Sequence, residues 1–169
     1  MKRILAAAFL LLQVVWAGVA TAACDLPSPT GEVILKIEGQ IQACNSGLEA
    51  RFDLAMIEAL PKREIKTQNP WEQGVVTYQG VLLRDLLDYV KANGNVMSFV
   101  ALNDFRADIS VEDARTIDIV LAYKRNGEYM PVREKGPLFV VFPFTDDPAL
   151  AVESRFAQSV WQVARITVK

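Results

Sequence analysis

Between Thr67 and Gly94 the chain changes its period, and that change restricts the fold more than any other feature. Thr67-Gln68-Asn69-Pro70-Trp71 reads as the approach to a loop, with Trp71 placed just after the Asn-Pro pair. Val75-Val76-Thr77-Tyr78 then reads as a strand that stops at Gly80. From Leu82 to Ala92, Leu83, Leu86, Leu87 and Val90 recur at helical spacing, and Asn93-Gly94 supplies the stop.

The flanking sequence supplies many short strands and few helices. Val33–Ile37 is a strand candidate ending at Gly39, and Cys44-Asn45-Ser46-Gly47 has turn chemistry. Asp53 is placed to cap a short helix carrying Leu54, Ile57 and Leu60 on one face, with Pro61 beyond it. Extended segments follow at Arg63–Thr67, Val96–Leu102 and Arg106–Ile109. Ser110 opens a helical turn, with Asp113 as the reciprocal partner of a capping box. Ile117–Lys124 is an apolar strand, and Arg125-Asn126-Gly127-Glu128 is a hairpin turn, since Asn-Gly readily supplies two positive φ angles. Leu138–Phe142 and Trp161–Val168 complete the set. Short helices among many strands predict an α+β domain with a mixed β-sheet.

The first residues read as a targeting signal. Lys2 and Arg3 precede an apolar run from Ile4 to Val19, and Ala20-Thr21-Ala22 fits the small-x-small rule for cleavage before Ala23. Residues 1–22 are therefore expected to be removed, leaving 23–169 as a single periplasmic or secreted domain. An uncleaved anchor is the first alternative. Lipidation at Cys24 is another, although Thr21-Ala22-Ala23 lacks the leucine that opens a lipoprotein box. No later segment is apolar enough to span a bilayer. Cys24 and Cys44 form an even pair after an export signal, which favours a disulfide over two unrelated thiols. The net charge of −2, with no basic run, argues against nucleic acid as a partner.

The sequence contains no histidine, which removes Ser–His and Cys–His catalysis and imidazole metal sites. The glycines are isolated, so no phosphate loop is formed. Asp146-Asp147 reads as a solvated loop before it reads as a calcium site.

Tyr78-Gln79-Gly80-Val81-Leu82-Leu83-Arg84-Asp85-Leu86-Leu87 resembles the "W-x-G-hydrophobic-x-L-x-D-L-L" stretch of the sulfite-oxidase-type molybdopterin-binding domain family. Ala101–Phe105 followed by Ala107–Ser110 is similar to that family's polar-aromatic turn leading into a strand. Ile119–Tyr123, Asn126-Gly127-Glu128, Met130-Pro131 and Gly136-Pro137-Leu138 resemble its "L-A-Y-x-x-N-G-E-x-L-P" and "G-x-P-L" segments. Trp161–Val168 resembles its closing "W-x-x-x-I-x-V" strand, so the likeness runs from about Val33 to Val168. The resemblance implies the family's α+β fold and a molybdenum–pterin cofactor held through a cysteine thiolate.

This chain departs from that pattern where the metal would be held. The position resembling the ligand cysteine falls at Thr67 or Gln68, and a hydroxyl or amide is a poor substitute for a soft thiolate. After Gly136-Pro137-Leu138 come Phe139-Val140, where many relatives place an arginine. No catalytic residue and no metal ligand is assigned.

Thr67, Gln68, Trp71, Asn103, Asp104 and Arg133 are the candidates for lining a pocket. Core packing for Trp71, turn-making for Asn103 and Asp104, and a solvated hairpin for Arg133 are the competing readings. The functional expectation is a degenerate exported module that binds a small ligand or a partner protein, such as the outer domain of a membrane sensor. Two alternatives stay open: a molybdopterin oxidoreductase with altered ligation, and a structural or assembly protein.

Overall fold

A computed structural model describes residues 24–169; the expected signal segment 1–22 lies outside the described residues. Among the described residues, ten strands form two five-stranded sheets. The first sheet has the order β2 (Ala50–Phe52), β1 (Leu35–Gly39), β10 (Val163–Val168), β5 (Val96–Ala101) and β6 (Arg106–Ser110). Within it β1 and β10 run parallel and the other neighbours antiparallel, so this sheet is mixed. The second has the order β3 (Lys62–Thr67), β4 (Val76–Leu82), β7 (Val120–Arg125) and β8 (Glu128–Tyr129), with β9 (Phe139–Val141) also paired to β7. Among the described residues there are four short α-helices: α1 (Leu54–Glu58), α2 (Leu83–Tyr89), α3 (Val111–Thr116) and α4 (Glu153–Gln158). The expected α+β class with short helices is the observed one.

Alternation along β7 explains why the second sheet is covered on both sides. Leu121 and Tyr123 enter the main core with Leu83, Leu86 and Leu87 of α2, whereas Val120 and Ala122 enter a smaller cluster with Tyr78 and Phe139. Trp71 packs against that smaller cluster.

The period change around Gly80 has a different cause from the one its sequence suggests. The strand does not stop at Gly80 but runs on to Leu82, and the helix starts at Leu83. Gly80 is required by close approach: a Cβ there would overlap the Leu121 carbonyl oxygen and the Ala122 backbone. The register shifts between Gln79 and Gly80, which sets two residues of β7 against one of β4. The helix also ends sooner than Ala92. Lys91 takes a left-handed conformation, φ 50°, while the Ala92 N–H donates to the Leu87 carbonyl and the Lys91 N–H to that of Asp88. This closes the helix with a Schellman pattern, ahead of Asn93-Gly94.

Local capping follows the sequence closely at Asp53 and in part at Ser110. Asp53 Oδ1 accepts from the Met56 N–H at 2.9 Å, and Oδ2 accepts from the N–H groups of Thr30 and Gly31 at 2.8 Å each. One buried carboxylate thus both caps α1 and ties down the lead-in segment. Ser110 Oγ accepts from the Asp113 N–H at 3.0 Å as expected, but the Ser110 backbone N–H does not donate back to the Asp113 carboxylate as a full capping box requires. That carboxylate binds Arg155 of α4 instead. Asn126 and Gly127 carry φ 50° and 87°, as the β7–β8 hairpin requires. Cys24 and Cys44 are joined in a disulfide. No helix among the described residues is long and apolar enough to cross a membrane.

Candidate functional site

Three stretches that are distant in sequence meet at one open cleft, the third running from α4 to the approach to β10. Trp71 comes from the loop after β3, Asn103 and Phe105 from the β5–β6 turn, Glu153 and Phe156 from α4, and Trp161 and Gln162 from the approach to β10. The cleft has a volume of about 420 Å³ and a mainly apolar lining.

Trp71 is the structural centre of this wall. Its ring meets those of Phe139, Phe156 and Trp161 edge-on, at centroid distances of 6.1, 6.0 and 5.6 Å. Such T-shaped contacts match the positive ring edge to the negative ring face. The loop is fixed by Asn69, whose Oδ1 accepts from the Trp71 N–H at 3.1 Å and whose Nδ2 donates to the Tyr78 hydroxyl at 3.0 Å. Burial pushes the Tyr78 phenol up to about 12, so it remains a neutral hydroxyl at ordinary pH.

A charge network supports the far side of the same wall. Glu72 Oε1 accepts from Lys135 Nζ at 2.9 Å and from Arg125 Nη1 at 3.0 Å, while Arg125 Nη2 donates to Glu134 at 2.9 Å. Burial raises the Glu72 carboxyl, but the two cations outweigh it and hold the group below its usual range. Lys135 Nζ also lies 5.1 Å from the Trp161 ring centroid, in cation–π contact.

The structure separates the sequence-derived candidates. Trp71 and Asn103 line the cleft together. Asn103 Oδ1 also accepts from the Phe105 N–H at 3.2 Å, which holds the turn that presents Phe105. Asp104 is exposed in that turn with φ 65° and is not in the lining. Thr67 is buried at the end of β3; its hydroxyl oxygen accepts from the Thr145 N–H at 3.3 Å. The Gln68 N–H donates to Thr145 Oγ1 at 2.9 Å, so both residues serve the junction with the Thr145 segment. Arg133 is 83% exposed and lies 3.5 Å from Glu134, and it is not in the cleft lining.

The contribution of α4 has no signal in the sequence. Its six residues include only Phe156 as a large apolar side chain, too little for a periodic signal. The helix is held by Arg155, which makes a two-pronged ion pair with Asp113 at 2.8 and 3.0 Å. Trp161 was legible as an aromatic at the start of the last strand, but nothing local indicated that it faces Trp71.

The residues near Thr67 do not fit a molybdenum–pterin centre. The two cysteines are consumed by the Cys24–Cys44 bridge, so neither offers a thiolate. The hydroxyl at Thr67 is committed to the Thr145 backbone. Among the described residues no group of three or more His, Cys, Asp or Glu side chains is arranged to hold a metal ion.

By architecture this is an α+β domain with two sheets and an aromatic cleft at its edge. A model of the oxidoreductase molybdopterin binding domain matches residues 47–145, and the chain belongs to that family. Among solved structures it is similar in fold to the sulfane dehydrogenase SoxCD from Paracoccus pantotrophus, with a TM-score of 0.59 and 19% identity. That likeness covers 79% of this chain and 37% of the SoxCD chain, so this chain spans well under half of that relative's length. No curated protein matches the sequence.

Proposed function

We propose that this chain is an exported ligand-binding module, built on a molybdopterin-domain scaffold that no longer carries a redox metal, and that it serves a sensory or partner-binding role. The observation that carries this reading is the exchange of features in one region. Where the family's thiolate is expected stand Thr67 and Gln68, both bonded to Thr145, while Trp71 in the following loop opens onto a cleft walled by Phe156 and Trp161. A cleft of this size and apolar character suits a small molecule. Lys2, Arg3, the apolar run and Ala20-Thr21-Ala22 support export, as does the disulfide.

Fractionation of the native host combined with intact mass measurement tests export; a chain beginning at Ala23 outside the cytoplasm is expected, and a full-length cytoplasmic chain contradicts it. A thermal-shift screen of small molecules tests the site. Ligands that raise the melting temperature of the wild type are expected to lose that effect in Trp161→Ala, and a shift that survives the substitution moves the binding site elsewhere.

A further inference from the structure

We infer that the cleft selects a small organic cation, an ammonium ion bearing alkyl groups, over an oxyanion; this rests on the reading of the cleft as a ligand site. Ring geometry is the first support. Trp71 and Trp161 meet at 83°, and Trp71 and Phe156 at 80°, so the lining carries aromatic rings in more than one orientation. The faces of such rings carry the negative part of the π quadrupole and attract cations. Trp161 already accepts one cation, Lys135, which lies outside the cleft lining.

Charge is the second support. Among the described residues, Glu153 is the one charged residue in the lining. Of the neighbouring cations, Lys135 and Arg125 pair with Glu72 and Arg155 with Asp113, while Arg106, next to Phe105, lies outside the lining. An anion entering the cleft therefore meets a carboxylate and no cation among the lining residues. The third support is apolar area. Phe105 and Trp161 are 48% and 39% exposed, and the methyl groups of an alkylammonium would cover part of that surface.

The test is calorimetric titration of the full exported chain with choline, with its uncharged isostere 3,3-dimethylbutan-1-ol, and with sulfite and phosphate. Choline is expected to bind roughly tenfold more tightly than the isostere, the scale of one desolvated cation–π contact. Glu153→Gln is expected to weaken choline about threefold and leave the isostere unchanged, as for an exposed charge pair. Trp161→Ala is expected to weaken choline at least about tenfold, with its melting curve checked alongside. Equal binding of choline and the isostere, or preferential binding of either anion, overturns the charge selectivity and leaves the cleft standing as a ligand site. Failure of every probe to bind the folded wild-type chain counts against both the selectivity and the ligand-site reading.

Discussion

The Tyr123 hydroxyl is buried in the main core without a hydrogen-bond partner among the described residues. Burial first, then the charges of Glu58 and Tyr129, push its phenol up, so it stays protonated. A buried polar group that gains no bond costs desolvation, and removing it relieves that cost. Tyr123→Phe is accordingly expected to leave stability unchanged or raise it by up to about 1 kcal/mol in urea unfolding; a clear loss contradicts this. Gly80 behaves in the opposite way. Its missing Cβ lets β4 approach the Leu121 and Ala122 backbone, which cannot give way as a flexible side chain can. Gly80→Ala is expected to cost about 3 kcal/mol or more, read from the shift in unfolding midpoint at constant slope. The importance of Gly80 was legible in the sequence, but its role was not. A glycine between strand and helix patterns reads as a terminator, whereas close approach depends on β7, some forty residues away in the chain.

At the scale of elements, α4 depends on another helix for its place. Arg155 and Asp113 are 23% and 26% exposed, so solvent screens their pair and its contribution is about 1 kcal/mol. The Arg155 guanidinium holds the Asp113 carboxyl below its ordinary 3.8 despite partial burial, helped by Ser110. Because the folded-state value is the lower one, the pair stabilises the fold above pH 3.8, and that contribution is lost as pH falls through the folded value. The melting temperature of Asp113→Asn should therefore lie below that of the wild type at neutral pH, and the gap should close in the acid range under pH 4. A gap that persists unchanged into acid contradicts the assignment. Strands with β-branched runs, the Asp53 cap and the Asn126-Gly127 hairpin were readable because each is decided by neighbours in the chain. The two-sheet arrangement and α4 were not, since each is decided by contacts between distant segments. Of the cleft, Trp71 and Asn103 were named from loop chemistry, whereas their meeting with Phe156 and Trp161 required the folded chain.

For the whole molecule, the lead-in and the two sheets are held by different means. The Cys24–Cys44 bridge, with a sequence separation of 20, fastens the segment before β1. Closing a loop of that size limits the unfolded chain and contributes about 3 kcal/mol. Reduction is expected to lower the melting temperature without dissolving the fold, because the main core draws on both sheets and α2. Collapse of the far-ultraviolet circular dichroism on reduction at room temperature contradicts that expectation. The chain belongs to the molybdopterin binding domain family, while its Thr67 hydroxyl is bonded by the Thr145 backbone and both cysteines are spent in the bridge. The most direct test is elemental and pterin analysis of the protein purified from its own cofactor-competent host. Molybdenum far below one atom per chain and no fluorescent pterin after oxidative release are expected; stoichiometric molybdenum with a released pterin would contradict the loss of the redox centre.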